Sequence, residues 1–167
     1  YVHDFSYTAK QIEQIRLGLE EKLDVSVYAD SKYSSDQMKQ IRLGLEEKLD
    51  VSIYADPEYT SHQMHQILSG LKDNLDVSMY ADSAYNDDQM REIRNGLKKG
   101  IDVSEYTDPK YTSNQMKQIR LELSKKRKNE SVLKIIREID INAFRLKEIK
   151  RGLEEGLDIS IYASPKY

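Results

Sequence analysis

Cysteine is absent from all 167 residues, which excludes disulfides, thiol catalysis and thiolate metal sites. Such a chain fits a reducing compartment. Tryptophan is absent as well, and two phenylalanines stand against twelve tyrosines. No apolar run approaches the roughly 18 residues of a membrane span, and no signal peptide opens the chain. Charge of one sign is not in excess either, since 26 basic residues face 29 acidic ones for a net charge of −3. General nucleic-acid and membrane-surface binders usually carry a clear basic excess, so composition supports neither. Length alone would allow one or two ordinary domains.

What the chain does have is a period. Gln11, Gln37, Gln63, Gln89 and Gln115 follow one another at steps of 26 residues. A further copy begins at Asn142 after a 4-residue slip, with Arg145 where the glutamine would stand. Eleven of the twelve tyrosines, all but Tyr1, fall at two positions of this period. A fixed period between about 20 and 50 residues marks a tandem array, in which each unit buries its apolar face only by stacking on its neighbours.

Start and stop signals divide each unit. Thr8, Ser34, Thr60, Asn86 and Thr112 each stand three residues before a glutamine. This is the capping-box spacing, with asparagine a looser match that is still a good N-cap. Met38, Ile41, Leu45 and Leu49 then recur at steps of three and four and form one stripe of a helix. Such a helix should run about 14 to 15 residues. After it, Asp50 is a good N-cap, and Pro57 disfavours helix at the residue before it. A second helix of about a turn and a half is expected between them, followed by an extended link through Tyr59. A strand over Val51–Tyr54 is the competing reading; the Asp cap and the missing hairpin signal favour helix.

Gly18, Gly44, Gly70, Gly96 and Gly152 fall inside the long helix, where glycine costs about 1 kcal/mol relative to alanine. Retaining that cost in five copies implies that another element approaches too closely for a side chain. The competing reading is a helix that ends at the glycine, but Leu45 and Leu49 continue the stripe beyond it. Glu122 replaces the glycine where the repeat breaks down. After Leu123 a basic segment containing Lys125, Lys126, Arg127 and Lys128 appears. Beyond it, Val132, Leu133, Ile135, Ile136 and Ile139 form a helical stripe behind a candidate N-cap at Ser131. The sequence therefore divides into a repeat array over 1–123, an irregular basic segment with a longer helix over 124–141, and a final repeat over 142–167.

The pattern Q-M-x-Q-I-R-x-G-L-(x)4-D-V-S-x-Y-A-x-P resembles a short helical repeat found in uncharacterised proteins of bacterial mobile elements and their phages. It covers Thr8–Leu123 and Asn142–Tyr167. The resemblance implies a bacterial or phage setting, with the cytoplasm of the host cell as the expected location. Proteins of that setting often bind host machinery, including defence nucleases, in the manner of anti-CRISPR inhibitors.

Several residue sets invite a chemical role. Asp50, Ser52 and Tyr54 are catalytic types, yet the trio recurs at Asp24/Ser26/Tyr28, Asp76/Ser78/Tyr80, Asp102/Ser104/Tyr106 and Asp158/Ser160/Tyr162. A catalytic constellation needs one preorganised site, so five copies point to capping and packing. His62 and His65 could face one metal, but no third ligand accompanies them and their counterparts in other copies vary. Tyrosine pairs such as Tyr54 and Tyr59 could stack bases or sugars, or cover the seams between units with the ring buried and the hydroxyl hydrogen-bonded. Arg16, Arg42, Arg94 and Arg120 would align as a ladder able to meet phosphates or acidic partners, with Lys150 in the last copy and Leu68 as a gap. Glu20, Glu46 and Glu154 lie one turn onward and could neutralise three rungs. Lys125–Lys128 is the densest basic run and coincides with the break.

Together these features predict an all-α array of tandem 26-residue helical repeats, stacked as an elongated solenoid. No cofactor, metal or catalytic residue is expected. The partner is expected to be another protein, with Lys125–Lys128 and the four arginines as contact candidates. The alternative is a nucleic-acid binder that uses the same ladder and run. Recognition should fall on positions where the copies differ, such as His65, Arg91 and Glu105.

Overall fold

In the computed structural model, which describes residues 7–156, five α-helices occur and no strand is found among the described residues. The helices are α1 (Ala9–Glu20), α2 (Ser35–Glu46), α3 (Ser61–Lys72), α4 (Asp87–Lys98) and α5 (Ser113–Glu154). The first four have 12 residues each, a turn shorter at the C-terminal end than the apolar stripe suggests. Each of these four opens with a complete capping box. At α2, for example, the Gln37 amide N–H donates to Ser34 Oγ (3.2 Å) and the Ser34 backbone N–H donates to Gln37 Oε1 (2.7 Å). Two of the four orphan donors of a helix start are thereby satisfied reciprocally.

The helices stop early because the chain turns left-handed. Lys22, Lys48 and Asn74 have φ of 58°, 56° and 54°, and Gly100 stands at the fourth such position. At α2 the Leu49 N–H reaches Gly44 O (2.9 Å) and the Lys48 N–H reaches Leu45 O (3.0 Å). That is the Schellman closure, which satisfies the last carbonyls. Leu49 therefore lies past the helix end, although it still packs against the core.

The short helix expected next is a single 3-10 turn of three residues at Val25–Val27, Val51–Ile53 and Val77–Met79. Its cap is as expected: Asp50 Oδ1 accepts from the Ser52 N–H at 3.1 Å and from Ser52 Oγ at 2.6 Å. The link that follows is a tight turn and not an extended segment. Asp56 O accepts the Tyr59 N–H (3.1 Å), while Asp56 Oδ1 accepts the Glu58 N–H (2.9 Å). Pro57, with its preset φ, occupies the second position of that turn, and the Asp side chain satisfies the third residue's N–H.

Consecutive helices α1 to α4 pack against one another. Met38, Ile41, Met64, Ile67, Met90, Ile93 and Met116 are fully buried, as are Tyr28, Tyr54, Tyr80 and Tyr106. The obstacle at the helix glycines is now identified. A Cβ built on Gly44 would overlap Tyr54 Oη and stand 2.7 Å from Val51 Cγ1, and Gly18, Gly70 and Gly96 face Tyr28, Tyr80 and Tyr106 in the same way. The intruder is thus the tyrosine ten residues later in the chain, returning from the 3-10 turn.

The helix α5 departs from expectation. It runs for 42 residues through Ser131, which is a mid-helix residue and not an N-cap, and through Lys125–Lys128, which is helical and not irregular. From Ser113 to Arg151 there is neither glycine nor proline, and Lys, Arg, Glu, Leu and Ile predominate, so propensity offers no stop signal there. Val132 is exposed, whereas Leu133, Ile135, Ile136 and Ile139 lie outside the described side chains. The chain divides into two compact units, Tyr1–Leu123 and Ser124–Tyr167. In the second, Gly152 is buried and Gly156 has φ of 70°; the trio Asp158/Ser160/Tyr162 falls outside the described residues.

The close approach at the glycine sets the sign of a substitution. Gly44→Ala should lower stability by about 1–3 kcal/mol despite alanine's better helix propensity, because the tyrosine must move. Adding Tyr54→Phe should recover part of that loss in thermal denaturation. Gly44→Leu should be worse than Gly44→Ala.

Candidate interaction surface

The recurring polar residues define what is left for a partner. The glutamine of the capping box has a second task. Gln37 Nε2 donates to Tyr59 O (2.6 Å) and Pro57 O (3.1 Å), while its Oε1 holds the Ser34 N–H. Gln11, Gln63 and Gln89 make the same contacts, to Tyr33 and Ser31, Tyr85 and Ser83, and Tyr111 and Pro109. All four are buried. Each amide therefore ties the start of one helix to the turn that leads into the next. Gln115 keeps the capping contacts but is exposed, since Ile135 and Arg137, at the matching distances along the chain, lie within α5.

The tyrosines are equally committed. Tyr28, Tyr54, Tyr80 and Tyr106 donate their hydroxyls to the carbonyls of Gln14, Gln40, Gln66 and Glu92 at 3.1, 3.1, 3.3 and 3.4 Å. In an α-helix each of those carbonyls also receives the N–H four residues on, which belongs to the glycine the ring packs against. Burial raises the Tyr28, Tyr54 and Tyr80 hydroxyls above their usual value near 10 and pushes Tyr106 up to about 12, against the lowering influence of Arg120. The second tyrosine set covers seams: Tyr7 and Tyr33 donate to Ala29 O and Ala55 O at 2.7 Å. Among the described tyrosines, all are buried or half-buried except Tyr111, which is 37% exposed. The hydrogen bonds from Ser52 and Ser104 hold the carboxyls of Asp50 and Asp102 below the ordinary range, as caps do.

The arginines do not form one exposed ladder. Arg16 is exposed and pairs with Glu20 on its own helix. Arg42 pairs with Glu46 and also donates from Nε to Gln14 Oε1 of α1 (3.2 Å). Arg120 is 7% exposed and donates from Nε and Nη2 to Glu92 of α4 at 2.9 and 2.8 Å. A partner cannot reach Arg120 without breaking that pair. Arg94 has a buried Nε with no hydrogen-bond partner, and Gln66 Oε1 is likewise unpartnered at the same 28-residue separation. Gln40 Oε1 lacks a partner too, because Leu68 stands where the arginine would be. The seam between helices is thus polar and graded: amide–guanidinium, amide–leucine, amide–guanidinium, and finally a carboxylate–guanidinium ion pair. Sequence reasoning saw the arginines and missed the residue two places before them, whose 28-residue offset was the available signal. Lys150 lies outside the described side chains.

Some helix positions where the copies differ are exposed. Glu13, Lys39, His65, Arg91 and Lys117 occupy one helix position in successive helices, and all are exposed. Partial desolvation, then the neighbouring Arg94, His62 and Lys72, lower the pKa of the His65 imidazole, and Arg91 pairs with Asp88 at 2.7 Å. Glu105 is exposed, as are Lys125, Lys126, Arg127 and Lys128. His62 and His65 gain no third ligand: among the described residues no group of three or more His, Cys, Asp or Glu is placed to hold a metal. Among the same residues no helix is long and apolar enough to cross a membrane. No protein-family model matches the chain, and neither the curated proteins nor the solved structures contain a match.

Two measurements probe the seam and the rings. Arg120→Met leaves the Glu92 carboxylate buried without its cation and should cost about 3 kcal/mol or more in denaturant unfolding. Glu92→Gln should cost less, since the amide oxygen can still accept from Arg120 as Gln14 accepts from Arg42, although the guanidinium loses the counter-charge that Glu46 supplies to Arg42. For the buried tyrosines a folded pKa above the unfolded one means that stability is complete below pH 10 and is lost as pH rises beyond it toward the folded values. In an alkaline titration, tyrosinate absorbance from these four rings should therefore appear together with loss of helical circular dichroism, and not before it.

Proposed function

We propose that this chain is a non-enzymatic binding scaffold, an elongated solenoid of tandem 26-residue helical repeats that recognises another protein. In the mobile-element or phage setting that the repeat resembles, the fitting partner is a host defence protein such as a nuclease, inhibited by direct binding in the bacterial cytoplasm. One observation carries the reading. The repeated Asp, Ser and Tyr side chains of the described units, with Gln11, Gln37, Gln63 and Gln89, are engaged in caps and packing, while one helix position that varies between copies (Glu13, Lys39, His65, Arg91, Lys117) is exposed throughout. A scaffold with invariant packing and variable surface is the arrangement by which stacked repeats present a recognition face. Apart from Glu13 in the first helix, the exposed column of Lys39, His65, Arg91 and Lys117 suits an acidic partner surface, and Lys125–Lys128 on α5 is by itself a second exposed basic stretch.

A nucleic-acid partner is the second reading, and the exposed run at Lys125–Lys128 favours it. Four consecutive helical residues point around the whole circumference of a helix, so at most two or three of them share a side with one phosphate strand.

Salt separates the two readings. Reversing Lys125, Lys126, Arg127 and Lys128 to Glu should leave the helical signal intact and slow association with the partner captured from a bacterial lysate. Against a protein, affinity should fall gently with salt, and capture should survive nuclease treatment. Against nucleic acid, log affinity should fall with log salt at about 0.9 per phosphate contact, with a smaller slope in the variant. Unchanged affinity of the variant at low salt removes this segment from the contact surface.

A further inference from the structure

Of the four arginines that share one helix position, three are neutralised within the array. Arg16 and Arg42 pair with Glu20 and Glu46, four residues on along their own helices. Arg120 pairs with Glu92 of the preceding helix. Arg94 has neither arrangement: Lys98 stands four residues on, and the preceding helix offers Gln66, an amide without charge. Its side chain is half-buried, and its Nε is buried without a hydrogen-bond partner, as is Gln66 Oε1. Among the described residues no carboxylate pairs with Arg94.

The acids around this seam are engaged elsewhere. Helix α3 contains none. Asp73, just past its end, holds Lys98 at 2.9 Å, Asp88 holds Arg91 at 2.7 Å, and Glu92 holds Arg120. Asp87 lies about two turns away, at the start of α4. The local field is cationic as a result. His65, exposed on α3, has its imidazole pKa lowered by partial desolvation and then by three basic neighbours, with Arg94 first among them. On the other side of α3 the ladder carries buried Leu68 in place of an arginine, so the free guanidinium stands alone.

We infer that Arg94, with His65 beside it, is the anchor of the exposed basic face and receives an aspartate or glutamate carboxylate of the partner at the α3–α4 seam. The inference rests on the acidic protein partner proposed above and names the place where its charge is received. A partly desolvated guanidinium without a counter-charge costs free energy, which an anion arriving from outside recovers. The incoming carboxylate takes the part that Glu46 plays for Arg42 and Glu92 for Arg120. Lys39 and Arg91, in the same exposed column as His65, surround it with further positive charge. A nucleic-acid strand fits less well, because it brings phosphates in a row, whereas this seam offers one guanidinium between neighbours already paired.

Titration of the full chain with an acetylated, amidated hexaglutamate peptide tests the anchor, read by the Nε–Hε nuclear magnetic resonance signal of Arg94. That signal, identified by its loss in Arg94→Gln, should move and saturate while the signal of the paired Arg120 stays in place. Gln66→Glu supplies the carboxylate from within, as Glu92 does for Arg120. Gln66→Glu and Arg94→Gln should each weaken peptide binding about tenfold or more, as loss of a charge-assisted pair implies. Lys39→Gln makes an equal change of charge on the same face and should weaken it about twofold or less. Without peptide, Gln66→Glu should raise the melting temperature, and Arg94→Gln should lower it far less than Arg120→Gln does. Circular dichroism of each variant verifies folding. Equal weakening by Arg94→Gln and Lys39→Gln, or full binding by Gln66→Glu, overturns the anchor and leaves the acidic-partner reading standing. A chain that binds no peptide defeats both. An oligothymidylate of equal charge that displaces the peptide from Arg94 and binds more tightly overturns the carboxylate assignment and marks a phosphate site.

Discussion

A single buried amide organises the described array. The glutamine at the third position of each of α1 to α4 faces two ways: its oxygen completes the cap of its own helix, and its nitrogen holds two carbonyls of the turn 20 and 22 residues on. A carboxylate there could serve the cap but would repel the carbonyls, and an aliphatic chain could serve neither. Because buried donors and acceptors are costly to leave unpaired, the amide fixes helix start and turn together. The placement of the next helix follows from that turn.

Two further devices depend on this placement. The 3-10 turn sends a tyrosine back onto the helix it has just left, and the glycine admits the hydroxyl to a carbonyl already used by the helix. Arg42 and Arg120, each at the eighth position of its helix, then meet the Gln or Glu of the preceding helix. These residues look chemically able, with tyrosine hydroxyls, carboxylates and guanidinium groups, but the tyrosines and the Glu92–Arg120 pair are engaged within the fold. Among the described residues, the helix position of Glu13, Lys39, His65, Arg91 and Lys117 differs between copies and stays exposed.

Much of this was legible in the sequence, for local reasons. Ser34 and Gln37 announce a capping box by spacing alone, and Gly44 announces a close approach because a glycine cost is retained where leucines continue beyond it. What spacing could not show was the direction of approach: the obstacle is Tyr54 of the same copy. The helix end was misjudged because Leu49 is apolar and in phase, while the left-handed turn at Lys48 carries no glycine to mark it, as Gly100 does. The turn at Asp56–Tyr59 was read as extended since Pro57 argues against helix more loudly than Asp56 argues for a turn. Ser131 suggested a helix start, but nothing upstream of it stops α5. The arginine seam stayed hidden because its partners, Gln14, Gln40, Gln66 and Glu92, are not identical, and a change from amide to carboxylate masks their shared position.

The hydrogen bonds that link one helix to the next join residues 20, 22, 25 and 28 apart, and the tyrosine bond closes over 14. Every stabilising closure therefore completes within a short stretch of chain, whatever the length of the array. Low contact order of this kind lowers the entropy lost before contacts form, which speeds folding. A nascent chain leaving the ribosome can consolidate each helix as soon as the next tyrosine and turn emerge, without waiting for its far end. The glutamine that ties a helix to the turn ahead of it also acts, in time, as the latch that closes behind synthesis.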